Sequence, residues 1–246
     1  IRDSHPNVEL LTNSEVTEVR GFVGNYEVSI VKKPRYVDEK KCVGCELCTK
    51  VCPVKVPDEF NEGLSQTRAI YIYSPYAVPK VAIINPKHCL RLKYNKDVCG
   101  KCLETCEAEA INFEQQSETI GLKVGGIILA VGSQVFDASK MPEFGYGQFK
   151  NVISNIEFER FLNASGPTGG KILCPNDGKS PKTLVFVQCV GSRDKRFHEY
   201  CCRVGCMATL KQAILAREHL DKDVNIYICF NDMRAFGKGY DEFYRR

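Results

Sequence analysis

The most informative run in this chain is Cys42-Val43-Gly44-Cys45-Glu46-Leu47-Cys48-Thr49-Lys50-Val51-Cys52-Pro53. Two residues separate each of the first three cysteines from the next, whereas three residues precede the fourth, which a proline follows. In this arrangement three thiolates bind one [4Fe-4S] cubane and the fourth ligates a second one. The extra residue and the proline turn direct Cys52 away from its neighbours. The run therefore predicts a module that holds two iron–sulfur clusters.

A looser group of cysteines supplies the remaining ligands of this module. Nine residues separate Cys89 from the run Cys99-x2-Cys102-x3-Cys106, which is followed by Glu107 where the first run has a proline. Zinc and buried free thiols are the alternatives, but zinc typically uses two separated CxxC pairs, which consecutive two-residue spacings match poorly. We assign the cysteines to two clusters, one held by Cys42, Cys45, Cys48 and Cys106 and the other by Cys89, Cys99, Cys102 and Cys52.

Another concentration of cysteines lies later in the chain, at Cys189, Cys201, Cys202 and Cys206. Their spacing matches no standard ferredoxin run. Cys189 ends an apolar strand pattern, however, and sites in α/β folds commonly lie at such strand ends. A third cluster is one interpretation, and a redox dithiol or small buried side chains are the alternatives, since free cysteine packs well inside proteins.

Composition and length limit the classes of protein to consider. The chain has 246 residues, enough for one large domain or two of ordinary size, and its 14 cysteines accompany no export signal, so we interpret them as metal ligands in a reducing cytosol. A net charge of +4 with interspersed signs gives no nucleic-acid footprint. No apolar run approaches the roughly 20 residues of a membrane helix. We expect a cytoplasmic protein without membrane insertion, and we interpret the sequence as a fragment.

The order of predicted elements indicates an α/β fold with an insertion. Alternating residues predict a short β meander over residues 8–31, and the cysteine-dense module follows over 40–113. The apolar run 125–132 then predicts a buried strand that ends in a glycine turn. Residues Asn155–Leu162 predict a helix. A strand at Thr183–Val187, a helix over 207–219 and a strand over 224–228 then predict a strand–helix–strand unit with parallel strands.

These features together resemble the A subunit of heterodisulfide reductase and its relatives. The resemblance covers essentially the whole chain. Besides the cysteine module, it rests on the runs Ile128-Leu129-Ala130-Val131-Gly132-Ser133, Gln188-Cys189-Val190-Gly191-Ser192-Arg193-Asp194, residues 200–213, and Arg234-Ala235-Phe236-Gly237-Lys238-Gly239-Tyr240.

The resemblance implies a fold and a domain organisation. The expected fold is part of a thioredoxin-reductase-like flavoprotein core, with two dinucleotide-binding domains, into which an α+β ferredoxin domain with two [4Fe-4S] clusters is inserted. Residues 1–35 and 116–173 would form the FAD-binding domain and residues 36–115 the ferredoxin domain. Residues 174–246 would form a second Rossmann-like domain, truncated and degenerate for NAD. In the family, an N-terminal domain and the first flavin motif precede this region, and another ferredoxin domain follows it.

The resemblance also implies a function. The complete protein would be an oxidoreductase subunit that moves electrons between its clusters and FAD in an electron-bifurcating complex, and the isolated fragment would be inactive. The implied partners are other heterodisulfide reductase-like subunits, hydrogenase or formate dehydrogenase subunits that supply electrons, and ferredoxin, with a homodimer left open. The alternatives are a non-catalytic electron-relay module and the A-type subunit of a quinone-interacting membrane oxidoreductase complex.

The family resemblance carries over to particular residues. Ala130, Val131 and Gly132 match the second FAD contact strand and its turn. Lys211 matches a lysine near the flavin ring, where a cation would stabilise a reduced anionic flavin; a solvated lysine on a helix face is the alternative. The resemblance places an atypical third cluster at the later cysteines. Here the family often has adjacent cysteines where this chain has Gly205 and Cys206, and Cys202 occupies a position that is usually not cysteine.

We expect the complete protein to bind FAD but no nicotinamide. In a Rossmann unit the strand leads directly into G-x-G-x-x-G, because glycines let the backbone approach the pyrophosphate. Here the predicted strand leads into residues 188–194, a turn with a single glycine. Val190 and the Arg193-Asp194 pair occupy positions that the phosphate would need.

Overall fold

The computed structural model describes residues 5–94 and 98–246, which form two compact units divided between Val131 and Gly132. The sequence suggested a division between residues 173 and 174 instead. The structure groups 132–173 with the later residues because the helix at 155–162 packs its apolar side chains on the strand–helix–strand unit. The predicted segment 1–35 begins with four residues outside the described ranges.

The first unit opens with an antiparallel hairpin. Strand β1 (Ser14–Phe22) pairs with β2 (Asn25–Lys32), and Gly24 in the turn has a φ of +90°, a conformation that favours glycine. The side chains of Val28 and Ile30 are buried. Both strands were predicted, but the predicted meander is wrong at its start, because residues 8–11 form no strand.

A cysteine-rich module of short elements follows. Its core consists of buried apolar side chains around which six of the eight cysteines pack. Helices α1 (Leu47–Val51) and α3 (Lys101–Thr105) pack against each other. The small strands pair as two antiparallel ribbons: β3 (Lys55–Pro57) with β4 (Gln66–Arg68), and β5 (Ile70–Tyr71) with β6 (Ile83–Ile84). The elements are α1 (Leu47–Val51), β3 (Lys55–Pro57), β4 (Gln66–Arg68), β5 (Ile70–Tyr71), β6 (Ile83–Ile84), α2 (Leu90–Tyr94) and α3 (Lys101–Thr105).

The module is inserted between two neighbouring strands of one sheet. Strand β7 (Glu118–Val124) pairs antiparallel with β2, with Glu118 opposite Lys32, so the sheet order is β1-β2-β7. An antiparallel bridge between Val37 and Ile111 joins the two chain segments where the module begins and ends. The cysteine-rich stretch therefore lies between two strands, β2 and β7, that are neighbours in the sheet.

The second unit contains a parallel strand–helix–strand arrangement, as predicted. Strand β8 (Thr183–Val187) pairs in parallel with β9 (Asn225–Cys229), and helix α5 (Gly205–His219) connects them. Helix α4 begins with a capping box at Ser154 and packs on this unit through Phe158 and Leu162, against a core that includes Ala216. The elements are α4 (Asn155–Leu162), β8 (Thr183–Val187), α5 (Gly205–His219), β9 (Asn225–Cys229) and α6 (Tyr240–Arg245).

The segment 125–132 differs from its prediction. We expected a buried strand, but residues 126–131 form no strand, and the side chains of Ile128 and Val131 are 94% and 90% exposed. The backbone here has no partner strand among the described residues, so an apolar sequence alone does not produce a buried strand. Ala130 and Val131 lie in this exposed segment, and Gly132 follows with a φ of +76°.

Within residues 5–94 and 98–246, none of the helices combines the length and the apolar character needed to cross a bilayer.

Candidate metal centres

The first cysteine run forms a tight loop that leads into α1. Gly44 has a φ of +67°, and a Cβ atom at this position would lie 2.6 Å from the carbonyl oxygen of Lys80. Glu46, just before α1, also has a positive φ, of 63°. Burial raises the pKa of the Cys48 thiol, and the nearby Cys42 and Cys45 thiols raise it further. The loop therefore brings three thiols close together in a backbone conformation that depends on glycine.

The second cysteine run repeats the local structure of the first. Cys48 lies in α1 and Cys102 lies in α3, at corresponding positions. Cys52 and Cys106 are the C-cap residues of these helices, and both have extended backbone conformations. The repeat holds although Glu107 stands where the first run has a proline. The missing proline made the second run look irregular in sequence, whereas its helix and C-cap correspond to those of the first run.

Four cysteines from different parts of the sequence border one cavity, which is partly open to solvent. Apolar side chains complete its wall, among them Ile70, Ile84 and Phe113. Burial, together with the other nearby thiols, raises the pKa of the Cys102 thiol to about 12. The four cysteines at the cavity are Cys52, Cys89, Cys99 and Cys102.

The chemistry of these thiols fits an iron–sulfur cluster. A buried thiolate surrounded by other thiols is unfavourable unless a cation stabilises it, and iron supplies that charge when it replaces the thiol protons. Among the described residues, no three His, Cys, Asp or Glu side chains converge as they would on a single metal ion. Four of the cysteines instead line one cavity together. A backbone donor is also present, since the Ala110 N–H donates to Cys106 Sγ at 3.4 Å.

The later cysteines meet in a second cavity, where β8 and β9 end. Cys206 lies in the first turn of α5, and the loop between β8 and α5 supplies the other three cysteines. This loop contains three non-glycine residues with positive φ, Cys189 (63°), Arg193 (56°) and Arg203 (66°). Strain of this kind often accompanies functional sites. The cysteines that line the cavity are Cys189, Cys201, Cys202 and Cys206.

Charged side chains at the same cavity were not identified from the sequence. Asp232, in the loop after β9, forms ion pairs with both Arg193 and Arg234. Burial raises the pKa of the Cys189 thiol, while Arg193 partly opposes this rise. Their positions in the sequence were the available indication of this site. Arg193, Asp232 and Arg234 follow the carboxyl ends of two adjacent parallel strands, where binding sites of α/β folds commonly lie.

Backbone N–H groups also face sulfur atoms at this cavity. The Arg203 N–H donates to Cys201 Sγ at 3.3 Å, and the Gly205 N–H donates to Cys202 Sγ at 3.4 Å. The thiols and these donors suit an iron–sulfur cluster, because hydrogen bonds to sulfur stabilise the thiolate form that binds iron.

Lys211 lies on α5 but not in the wall of the thiol cavity. Its Nζ atom lies 2.5 Å from Oε1 of Glu159 on α4. Burial opposes ionisation of Glu159, but hydrogen bonds from Lys211 and Gln212 outweigh this effect and lower its pKa. Lys211 therefore connects two helices in this structure, and its role at a flavin stays a prediction.

Comparison with known proteins agrees with the cysteine pattern and extends it. The model of the 4Fe-4S binding domain family matches residues 35–58. Over 244 residues, the chain is 51% identical to the iron–sulfur A subunit of the CoB–CoM heterodisulfide reductase of Methanocaldococcus jannaschii, covering 99% of this chain and 36% of that protein. It is 46% identical to the A subunit of the H2:CoB-CoM heterodisulfide,ferredoxin reductase of Methanothermobacter marburgensis, with 98% and 36% covered.

A third relative has the same relationship to the chain. The A subunit of the ferredoxin/F420H2-dependent CoB-CoM heterodisulfide reductase of Methanosarcina acetivorans is 47% identical over 246 residues, which cover 99% of this chain and 30% of that protein. The chain thus spans about a third of the length of these curated relatives. Nearly all of its residues align with oxidoreductase subunits of one kind, and the chain therefore belongs, as a partial match, to the family of heterodisulfide reductase A subunits.

Proposed function

We propose that this chain transfers electrons through two [4Fe-4S] clusters to or from FAD within a heterodisulfide reductase-like complex. The observation that carries the proposal is that Cys52, from the first run, borders the same cavity as Cys99 and Cys102, from the second. Such an exchange of the fourth cysteine is what a ferredoxin with two clusters requires. The ligand sets are those assigned above, with Cys106 completing the cluster of the first run.

The residues of the module would hold two clusters. When bound, each cluster accepts and donates one electron at a time. The buried side chains of Val37, Ile70 and Ile84 belong to the apolar core on which cysteines of both runs pack. An apolar surrounding disfavours extra charge, whereas the N–H of Ala110 stabilises negative charge on the Cys106 sulfur. The chain thereby sets the polarity around each site.

Replacing Cys52, the C-cap residue of α1, tests this proposal. Cys52→Ser in the cluster-loaded protein should disturb the cluster of the second run and leave that of the first intact. Iron and sulfide analysis together with EPR spectroscopy measures this, and Cys229→Ser, at an exposed cysteine outside both cavities, is the control. Loss of the first-run signal, or no loss at all, would show that the ligand exchange is wrong.

We further propose a third cluster at Cys189, Cys201, Cys202 and Cys206. The shared cavity, the strained loop and the N–H groups that face sulfur support this assignment. In full-length protein, replacing both Cys189 and Cys206 with serine should remove about four irons, as expected for one cubane. Unchanged iron content in that variant would leave the dithiol interpretation in place.

FAD in the complete protein, bound by a thioredoxin-reductase-like core, is the remaining cofactor that we propose. The parallel unit β8-α5-β9 is compatible with such a core but lacks the features of a nicotinamide site. The N–H of Gly191, the one glycine in the turn after β8, donates to Met141 Sδ at 3.2 Å, and a Cβ at Gly191 would lie 2.3 Å from the Phe136 ring. The backbone that would approach a pyrophosphate is therefore covered by side chains.

The proposed partners follow from the names of the relatives. These names mention ferredoxin, hydrogen and, for the relative from Methanococcus maripaludis, hydrogen or formate. We propose that the complete protein receives electrons from hydrogenase or formate dehydrogenase subunits and exchanges them with ferredoxin and other reductase subunits, with bifurcation at FAD. Co-purification of these subunits with full-length protein, followed by identification of each, tests the assignment.

A further inference from the structure

Gln188, the residue between β8 and Cys189, has a buried side-chain amide at the cavity of the later cysteines. It is one of the residues that line this cavity, and its Nε2 atom is buried without a hydrogen-bond partner among the residues that the structure describes. Buried amide donors are normally satisfied, because an unpaired donor inside a protein is costly. The Gln188 amide therefore calls for an acceptor at this cavity.

The amide lies beside a thiol at the first turn of α5. A Cβ atom at Gly205 would lie 3.3 Å from Oε1 of Gln188 and 3.2 Å from Sγ of Cys202. The amide and this sulfur thus approach the same point, where residue 205 has no side chain. The N–H of Gly205 donates to the same sulfur at 3.4 Å. The unpaired donor is therefore close to a proposed cluster ligand.

Backbone and hydroxyl contacts hold the two sides of this arrangement. The N–H of Gln188 donates to the carbonyl oxygen of Cys229 at 2.9 Å, which continues the pairing of β8 with β9. On the other side, the buried Ser192 hydroxyl accepts from the N–H of Cys202 at 2.9 Å, and the Ser192 N–H donates to the carbonyl oxygen of Cys189 at 3.1 Å. The positions of the amide and of the thiols are therefore set by the sheet and the loop together.

The charge around the cavity favours a negatively charged group. Three arginines and one aspartate line it, and Asp232 forms ion pairs with two of the arginines. The lining side chains other than the cysteines thus carry net positive charge. A [4Fe-4S] cluster held by four thiolates is anionic, so this charge suits it. The arginines are Arg193, Arg203 and Arg234.

We propose that the side-chain amide of Gln188 donates a hydrogen bond to a sulfide or thiolate sulfur of the third cluster. The proposal rests on the third cluster proposed above and gives that cluster a contact residue that is not a ligand. Hydrogen bonds to sulfur help to set the potential of iron–sulfur clusters. A donor stabilises the reduced form more than the oxidised form, because the reduced form carries more negative charge. Gln188 therefore raises the reduction potential of this site.

Pulsed EPR spectroscopy tests the contact itself. The sample is full-length protein, isolated with its clusters, in which the glutamine side-chain amides carry a nitrogen isotope label. The signal of the third cluster is the one that Cys189→Ser/Cys206→Ser removes. We expect this signal to show a weak coupling to the labelled nitrogen, and we expect Gln188→Leu to abolish the coupling. A signal without this coupling in the unmodified protein would overturn the proposal, because the amide would then have another partner.

A redox titration followed by EPR measures the effect on the potential. Gln188→Leu removes the donor at similar side-chain volume and should lower the midpoint potential of the third cluster by about 59 mV, a tenfold change in its one-electron equilibrium. Gln148→Leu makes the same substitution at an exposed glutamine of the same unit and should leave the potential unchanged. An unchanged potential in Gln188→Leu, or an equal shift in both variants, would overturn the proposal. The label measurement on unmodified protein decides the matter even where Gln188→Leu loads its clusters poorly.

Iron analysis separates this inference from the proposed third cluster. If Cys189→Ser/Cys206→Ser keeps its full iron content, the third cluster and the Gln188 contact are both wrong. If that variant loses about four irons while Gln188→Leu changes neither the coupling nor the potential, the contact alone is wrong.

Discussion

Gly44 and Gly63 have similar backbone conformations but different surroundings, and this difference allows a test of the first cysteine loop. Their φ values are +67° and +75°, but a Cβ would meet the Lys80 carbonyl oxygen at Gly44 and no atom within 4 Å at Gly63. Gly63→Ala should lower the free energy of unfolding by about 1 kcal/mol, from backbone strain alone. Gly44→Ala adds a steric overlap and should cost clearly more.

Denaturant unfolding, followed by cluster absorbance, measures both variants. Gly44→Ala should also reduce iron content, because the shifted backbone carries Cys42 and Cys45. Equal destabilisation by the two substitutions would mean that the contact with Lys80 has no role in shaping the loop.

Single cysteines test the division of the module into two sites. Cys45→Ser and Cys99→Ser lie in different ligand sets, and each should remove about four irons from a module that holds about eight. The EPR spectra should lose different signals in the two variants. A variant that keeps its full iron content would show that its cysteine is not a ligand.

At the level of elements, the contact between α4 and α5 depends on a buried amide. Gln212 is 1% exposed, and its Nε2 atom donates to the Asn155 carbonyl oxygen at 3.1 Å and to Glu159 Oε2 at 2.9 Å. Gln212→Leu should lower the free energy of unfolding by about 1–3 kcal/mol, because it leaves these polar groups without their partner. Denaturant unfolding monitored by far-ultraviolet circular dichroism measures the change.

The neighbouring Lys211 is the control for this contact and a test of the flavin hypothesis. Its ion pair with Glu159 is half exposed, so Lys211→Ala should change the free energy of unfolding by less than about 1 kcal/mol. If Lys211 acts near a flavin, this variant of the complete protein should shift the flavin reduction potential while stability is retained. An unchanged potential would restrict Lys211 to its contact between helices.

The elements that were predicted correctly have strong local signals. Helix α4 has a capping residue and a regular apolar face, and β8 and β9 are continuous apolar strands. Helices α1 and α3 are five residues long, too short for a periodic pattern to be read. The segment 125–132 was mispredicted because its composition is that of a strand, whereas strand formation depends on a partner that composition does not specify.

At the level of the whole molecule, spacing predicted that Cys52 lies with the cysteines of the second run, and it borders the same cavity as they do. Its role as a cluster ligand stays a prediction. The assignment of Cys52 to the second ligand set came from the spacing of the first run. Spacing could not reveal that Cys201 and Cys202 share a cavity with Arg193 and Asp232, because the loops after two parallel strands bring these residues together in space.

The expectation that NADH and NADPH do not bind is tested on the complete protein. Because Met141 and Phe136 occupy the space next to Gly191, we expect NADH and NADPH to leave the flavin oxidised when full-length protein is titrated and flavin absorbance is followed. Dithionite should bleach the same flavin and serves as the control. Rapid stoichiometric bleaching by either nucleotide would refute the expectation.

The pairing of β2 with β7 has a consequence for shortening the chain. Lys32 and Glu118 face each other across the ladder, so everything between them leaves and re-enters the sheet at one point. A two-residue turn in place of the intervening residues would join the same two strands as an ordinary hairpin and would leave their register unchanged.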